Sequence, residues 1–383
     1  MVTESFLPTL NGVTTSVCRI LEHLRRRGHH AVVVCPGPAP DEYAGYPVVA
    51  VPALNYRQFP VGLPVRLLVR RALAAHLPDV VHLASPFVLG AAGLSEARRL
   101  GVPAVAVYQT DVARYSRRYG ATASAAAWRW LRHLHERAAV TLAPSTAALG
   151  DLTRHGVPRT VMWARGVDAD RFTPDRRRTP AATRLRSRLA PDGETVVGYV
   201  GRLAPEKRVE RLAALAGAQD EVPGGVRLAV VGDGPSRAFV ERALAVPGMP
   251  PTTLLGRLDG DALADAYAAF DVFVHTGTEE TFGQTLQEAM ASGLPVVAPA
   301  AGGPLDIVCP GLTGELYPAE DDAALRRAVL TLARRPGLRH RYGALARELV
   351  LPRSWETLGD ELIEHYRRAI AGGAPATTAR RAS

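Results

Sequence analysis

The chain has 383 residues, 47% of them hydrophobic and 22% charged. That is globular composition, and it excludes a disordered chain or a fibre; at roughly 100–200 residues per domain the length predicts two domains. A formal net charge of +9 points to anionic partners, whether nucleic acid, a negatively charged membrane or a phosphorylated substrate.

The three cysteines, Cys18, Cys35 and Cys309, lie far apart with no C-x-x-C pair, so neither a disulfide framework nor a zinc knuckle is indicated. The apolar stretch Leu83–Leu94 is short and contains Pro86, well below the ~20 apolar residues of a spanning helix. Glu4 comes early and no basic region leads into an apolar core, so no signal peptide is visible and a cytoplasmic protein is expected. Of 46 basic residues only Lys207 is lysine.

Short β-branched runs alternate with amphipathic segments of helix length, the pattern of parallel α/β folding. The opening Val2-Thr3 reads as the end of a strand shorter than the usual ~5 residues, so the native start is expected upstream of Met1. Strands are predicted at Ala31–Cys35, Val48–Val51, Val80–Leu83, Ala104–Tyr108, Val140–Ala143 and Val161–Ala164. Helices fall between them at Thr14–Arg27, which Gly28 ends, and at Pro64–His76. The Arg-, Pro- and Thr-rich stretch Arg171–Glu194 reads as a domain connection. The rhythm restarts with strands at Thr195–Val200, Arg227–Val231, Thr253–Leu255, Val272–His275, Pro295–Ala298 and Gly314–Tyr317, and a helix over Trp355–Ile370 closes the pattern. The tail from Ala371 reads as disordered.

Four segments at strand-to-helix turns carry chemistry. In Gly198–Lys207 a buried strand delivers Gly201 and Arg202 into a turn where Pro205 and Glu206 look like helix-start residues. Arg202 and Lys207 would then flank a helix N-terminus and hold a diphosphate; the plainer reading is a salt-bridged turn. Val230–Pro235 fits either a tight glycine turn or a ligand contact. In Thr278–Gly293, Glu280 precedes a helix and Glu288 lies inside it among apolar residues, so two carboxylates address hydroxyls of one ligand while the amides near Phe282 and Gly283 offer an anion site. Ala301–Asp306 is a further flexible turn that says little alone.

Taken together, these residues resemble the retaining glycosyltransferases of family 4. The marks are the Glu280/Glu288 pair inside TEETFGQTLQEAMASGLPVVA, the GYVGRLAPEK loop, VVGDGP, RGVDADRFTP and the N-terminal TESFLPTLNGV turn. The resemblance runs from Thr3 to about Ile370. NGVTTSV, VYQTDVARY and GGPLD look most like the actinobacterial GDP-mannose-dependent α-mannosyltransferases of glycolipid synthesis; sulfoquinovosyl transferases are similar too.

The resemblance implies the α/β GT-B fold: two Rossmann-like domains facing a central cleft, with a C-terminal helix crossing back to the first. It places an acceptor-side domain at 1–170 with the crossing helix at about 355–370, a nucleotide-sugar-binding domain at 171–354 and a tail at 371–383. It implies that Arg202 and Lys207 neutralise the departing diphosphate, that Glu280 accepts from hydroxyls of the transferred sugar and Glu288 from the ribose, and that the Phe282 and Gly283 amides lie near the sugar. Asn11, Gly12 and Gly201 belong to the donor side, Gly12 allowing close approach to the phosphates. Where the family often has histidine this chain reads Gln109-Thr110-Asp111, which leaves Asp111 as the residue nearest the reacting centre.

The implied partners are a nucleotide-sugar donor and a lipid or glycan acceptor, with no cofactor and no metal, since no D-x-D closes a strand. Other readings are a UDP-sugar donor with a small-molecule or sulfolipid-type acceptor, and a nucleotide-sugar 2-epimerase. A phosphorylase would need a pyridoxal-binding lysine in an apolar pocket. A nucleic-acid binder should show a groove-reading module, and none is found.

Two basic, aromatic segments, Arg114–Arg137 and Asn55–Arg71, suit either contact with anionic lipid or ordinary helices with a solvated basic face. His133 and His135 are too poorly spaced on a helix to share a metal, and a surface position is expected for both. His82 and His275 either line the cleft or serve structure.

Overall fold

The computed structural model describes residues 1–9, 11–56, 59–63, 65–109 and 121–372. They form two units, Met1–Gly166 with the segment from Trp355 onward, and Val167–Ser354.

The first unit is built on a sheet whose strands are β1 (Val2–Thr3), β2 (Val33–Pro36), β3 (Glu42–Tyr43), β4 (Tyr46–Val51), β7 (Val81–Ala84), β8 (Ala104–Val107), β9 (Val140–Ala143) and β10 (Thr160–Met162), in the order β10-β9-β8-β7-β1-β2-β4-β3. All pairings are parallel except that of β3 with β4. The strands read as short Val/Ala/Leu runs because both faces are covered by helices, so alternation is lost. A hairpin of β5 (Ala53–Tyr56) and β6 (Phe59–Gly62) stands apart from this sheet.

The last helix, Trp355–Ile370, belongs to this first unit. Leu358, Leu362, Ile363, Tyr366 and Ala369 enter the cluster that also holds Val17, Ile20, Leu21 and Leu24 of the helix Gly12–Arg26. Gly359 lets the two helices close, since a Cβ there would lie 2.4 Å from the His23 ring. Asp360 then meets His23 Nε2 at 2.9 Å and accepts from Arg27 Nε at 2.8 Å. His82, inside β7, faces the Tyr366 hydroxyl at 2.8 Å. Burial there pushes its pKa down to about 3, so His82 serves structure as a neutral ring.

The second unit has β11 (Thr195–Val200), β12 (Val226–Val231), β13 (Thr252–Gly256), β14 (Val272–Val274), β15 (Val296–Pro299) and β16 (Gly314–Tyr317), all parallel, in the order β13-β12-β11-β14-β15-β16. The chain winds outward from β11 on one side, then resumes at β14 on the other. That reversal is a topological switch point, where open α/β sheets receive ligands beyond their carboxyl ends.

Several expectations change. Arg171–Glu194 is no linker but part of the second unit: it holds the helix Pro180–Leu189, packed against the helix Gly260–Ala269. Several of its arginines are ion-paired, with Arg177 and Arg186 both on Asp271 and Arg176 on Asp265. Asn55–Arg71 is no single helix: it begins in the β5/β6 hairpin, and its helix is Arg66–His76. The predicted tail from Ala371 lies outside the described residues beyond Gly372.

A cavity of about 580 Å³ opens at the amino ends of β1, β2 and β7, lined by residues such as Met1, Leu73, His76, Val80 and Ile363. This is the opposite end of the sheet from the one where doubly wound folds bind ligands, and none of the predicted site residues lines it.

Candidate active site

The site assembles at the switch point of the second unit from the loops that follow β11 and β14. The first loop carries Gly201, Arg202 and Lys207, the second His275 to Gly283. Lys207 Nζ donates to Glu280 Oε2 at 2.6 Å, so the chain's one lysine and the first carboxylate of the E-x7-E pair form an ion pair. Neither is fully buried: the side chains keep 25% and 15% of their exposure. Arg202 Nη1 lies 4.0 Å from Glu206 Oε1 and is partly exposed.

The expected helix at Pro205 is absent. Pro205–Lys207 is a single 3-10 turn, and Arg208 takes a left-handed backbone, φ 51°, before a second 3-10 stretch, Val209–Leu215. The Thr276 hydroxyl donates to the Lys207 carbonyl at 2.7 Å. Lys207 is therefore held by the β14 loop through its main chain as well as its side chain, and no α-helix N-terminus contributes there.

Glu280 Oε1 accepts from the Gly283 amide at 3.2 Å and the Phe282 amide at 3.4 Å. The amides expected to meet a ligand thus enclose this carboxylate. Burial alone would raise its pKa; the charges of Lys207 and His275, with the hydrogen bonds from Lys207 and the Phe282 amide, outweigh it and hold the group at about 2. Gly283 adopts φ 104°, which disfavours any side chain. The helix Gln284–Ala291 follows, with Glu288 in its second turn, where Glu288 Oε2 accepts from the Tyr267 hydroxyl at 3.0 Å. Tyr267 is fully buried, and burial followed by the neighbouring Glu288 charge drives its pKa up.

The two glycine turns left open by sequence are braces. Leu203 N donates to Asp233 O, and Ser236 N donates back to Leu203 O, both at 2.9 Å, pinning the Arg202 loop to Val230–Pro235. Gly303 N donates to Glu280 O at 2.8 Å, and a Cβ on Gly303 would sit 2.1 Å from Phe282 O. Ala301–Asp306 therefore supports the Glu280 turn from behind.

In the first unit, Asn11 caps the helix Gly12–Arg26: its Oδ1 accepts from Val13 and Thr14, each at 3.0 Å, and its Nδ2 donates to Ser5 Oγ. Gly12 makes room for an arginine, since a Cβ there would lie 3.0 Å from Arg165 Nη1. Arg165 Nη2 donates to Gly12 O at 2.5 Å and to Gln109 Oε1 at 2.7 Å. Arg165 opens the RGVDADRFTP motif, and its burial beside Gly12 is decided by the tertiary structure. Asp111 lies outside the described residues, as do Arg114, Tyr115, Arg117, Arg118 and Tyr119.

Trp128 is buried, stacked on His155 with centroids 3.7 Å apart, so it belongs to the core and not to a lipid-seeking face. His135, expected at the surface, is buried with Nδ1 3.0 Å from Thr141 Oγ1, because the helix Ala121–His135 turns that side onto β9. His133 is exposed, as expected. Among the described residues no cluster of three metal-ligating side chains occurs.

A cationic pair at the switch point of one doubly wound sheet, in a chain with a second such sheet, matches the architecture of the GT-B glycosyltransferases. The Anabaena protein HepE, solved in complex with UDP and glucose, superposes with a TM-score of 0.77 at 22% identity, covering 96% of this chain and 98% of that one. The fold is GT-B. The family description "Glycosyltransferase Family 4" matches residues 10–171, and "Glycosyl transferases group 1" matches residues 182–349. A GDP-mannose-dependent alpha-mannosyltransferase of Mycobacterium tuberculosis is 50% identical, over 97% of this chain and 96% of that protein. One from Corynebacterium glutamicum is 42% identical, over 97% and 89%. The chain belongs to glycosyltransferase family 4, and it is a glycosyltransferase that takes a nucleotide-sugar donor and a glycan or lipid acceptor.

Proposed function

We propose that the protein transfers mannose from GDP-mannose to a lipid-linked or glycan acceptor, with retention of anomeric configuration and without a metal. The observation that carries the reading is the Lys207–Glu280 pair at the switch point, 2.6 Å apart, with Arg202 on the same loop. Cleaving a glycosyl phosphate bond leaves negative charge on the diphosphate. An ammonium and a guanidinium brought to the departing diphosphate from one loop favour that state over the intact donor, and so lower the barrier. Glu280 offers a carboxylate to sugar hydroxyls, and Glu288 one to the ribose. The GDP-mannose dependence named for the relatives supports mannose over other hexoses and GDP over UDP.

The test is nucleoside diphosphate release, with membrane extract as acceptor, from GDP-mannose, UDP-glucose and UDP-N-acetylglucosamine. Release from GDP-mannose alone, with an α-linked mannosyl product by NMR, is expected. Release only from a UDP-sugar sinks the donor assignment, and a C2-inverted sugar without transfer sinks the transferase reading in favour of an epimerase.

A peripheral seat on an anionic membrane goes with a lipid acceptor. Among the described residues no helix is long and apolar enough to cross a membrane. On the helix Arg66–His76, Arg66, Leu67 and Arg71 are exposed, with Leu67 and Arg71 one turn apart on a shared face. Flotation with phosphatidylglycerol vesicles should show binding that salt removes and that an Arg66→Glu/Arg71→Glu variant weakens. No binding at low salt rejects the seat.

A further inference from the structure

We propose that His275 is a positioning residue, which takes over the Glu280 carboxylate when the donor diphosphate draws Lys207 away. The inference rests on the donor reading above and extends it to a residue that reading leaves without a role.

The problem begins with the ion pair itself. Lys207 cannot give its full charge to a diphosphate while its ammonium stays on Glu280, 2.6 Å away. Binding the donor therefore removes the cation that stabilises a largely buried carboxylate. Glu280 Oε1 keeps the Phe282 and Gly283 amides, but Oε2 loses its partner, and a buried charge with part of its compensation removed is costly; yet Glu280 is the group offered to the sugar.

A replacement stands ready. His275 follows β14, is 1% exposed, and places Nε2 3.9 Å from Glu280 Oε2. That is too long for a hydrogen bond, but a shift of about 1 Å by the released carboxylate would make one. Among the described residues neither ring nitrogen makes a hydrogen bond of normal length and angle, although the Gly277 backbone lies close enough to act on the ring. Buried polar atoms in native proteins are nearly always satisfied, so an unsatisfied ring aimed at a functional carboxylate calls for an explanation.

The surroundings hold the His275 backbone in place. His275 N donates to Val297 O at 2.8 Å, and the Tyr317 hydroxyl donates to His275 O at 3.0 Å. Gly277 keeps the space beside the ring clear, since a Cβ there would come within 3.3 Å of both Nε2 and Glu206 O. The charged groups acting on the ring are Glu280, which favours its protonation, and Lys207, which opposes it; burial dominates both and sets its pKa at about 4. The imidazole is thus neutral at working pH and donates one N–H without bringing a competing charge to the diphosphate.

The full-length chain tests this in steps that separate the two readings. Wild-type protein is first titrated with GDP by calorimetry and assayed with GDP-mannose; failure at this step sinks the donor reading and the inference that rests on it. With wild type active, His275→Ala should lower kcat about ten- to hundredfold, the worth of a hydrogen bond to a charged group. Its Kd for GDP should stay within about twofold, because Lys207 and Arg202 remain. His275→Gln, which keeps an N–H donor, should recover part of kcat. GDP should also shift the His275 ring nitrogen resonances of the wild type, a readout independent of whether His275→Ala folds. Retention of kcat within about twofold in a folded His275→Ala, or ring resonances unmoved by saturating GDP, overturns the proposal while leaving the donor reading standing.

Discussion

Lys207 sits where its chemistry can be tested against its packing. Replacing it by alanine removes a preorganised cation from the leaving group, so kcat should fall about 10²–10³-fold, more than KM rises; equal turnover would take Lys207 out of the chemistry. The same variant has a thermodynamic signature. The folded-state pKa of Glu280 is depressed, from an ordinary 4.5 to about 2. The stability it contributes is therefore complete above about pH 4.5 and is lost as pH falls towards 2. The gap in urea midpoint between wild type and Lys207→Ala should be widest near neutrality and narrow across that window. A gap that does not change with pH would mean that the pair is not formed in solution.

Among the elements, the helix Pro180–Leu189 shows how an arginine-rich stretch becomes structure. Asp271, between the helix Gly260–Ala269 and β14, accepts from Arg177 at 2.6 Å, Arg186 at 2.5 Å and the Val196 amide at 2.8 Å. One carboxylate thus ties that helix to two neighbouring central strands, and only 10% of its side chain is exposed. Asp271→Ala leaves two guanidinium groups and an amide without it, and should cost about 2–4 kcal/mol by chemical denaturation. A change below about 0.5 kcal/mol would show the network to be ornamental. Gly303→Ala should act locally instead, pushing Phe282 O and displacing the Glu280 turn, with a loss of activity larger than its loss of stability.

At the level of the whole chain, the first unit is discontinuous in sequence. Leu358, Leu362, Ile363, Tyr366 and Ala369 complete a core whose other members come from the first 166 residues. Ending the chain after Ser354 should therefore expose β1, β2 and β8 to amide exchange while β11, β12 and β14 keep their protection. Hydrogen exchange read by mass spectrometry checks this, and equal loss in both units would contradict the division.

What the amino-acid order settled alone was the alternation of buried strands and helices, the strand positions to within a residue or two outside β3 and the β5/β6 hairpin, the closing helix, and the placing of the Gly198–Lys207 and Thr278–Gly293 segments behind strands. These are local signals: an apolar run, a capping glycine, a spacing along one turn. It could not tell that Val230–Pro235 and Ala301–Asp306 brace other loops, because a brace is defined by what it touches across the sheet. The 3-10 break at Arg208 was hidden too, since Pro-Glu-Lys favours a helix start and the Thr276 hydroxyl, which takes the Lys207 carbonyl, comes from far along the chain. Arg165 beside Gly12, buried His135 and the poised ring of His275 likewise depend on strand order, which brings residues distant in sequence to one edge. Tertiary structure decided these because burial and partnership are properties of neighbours in space, and a sequence names neighbours only along the chain.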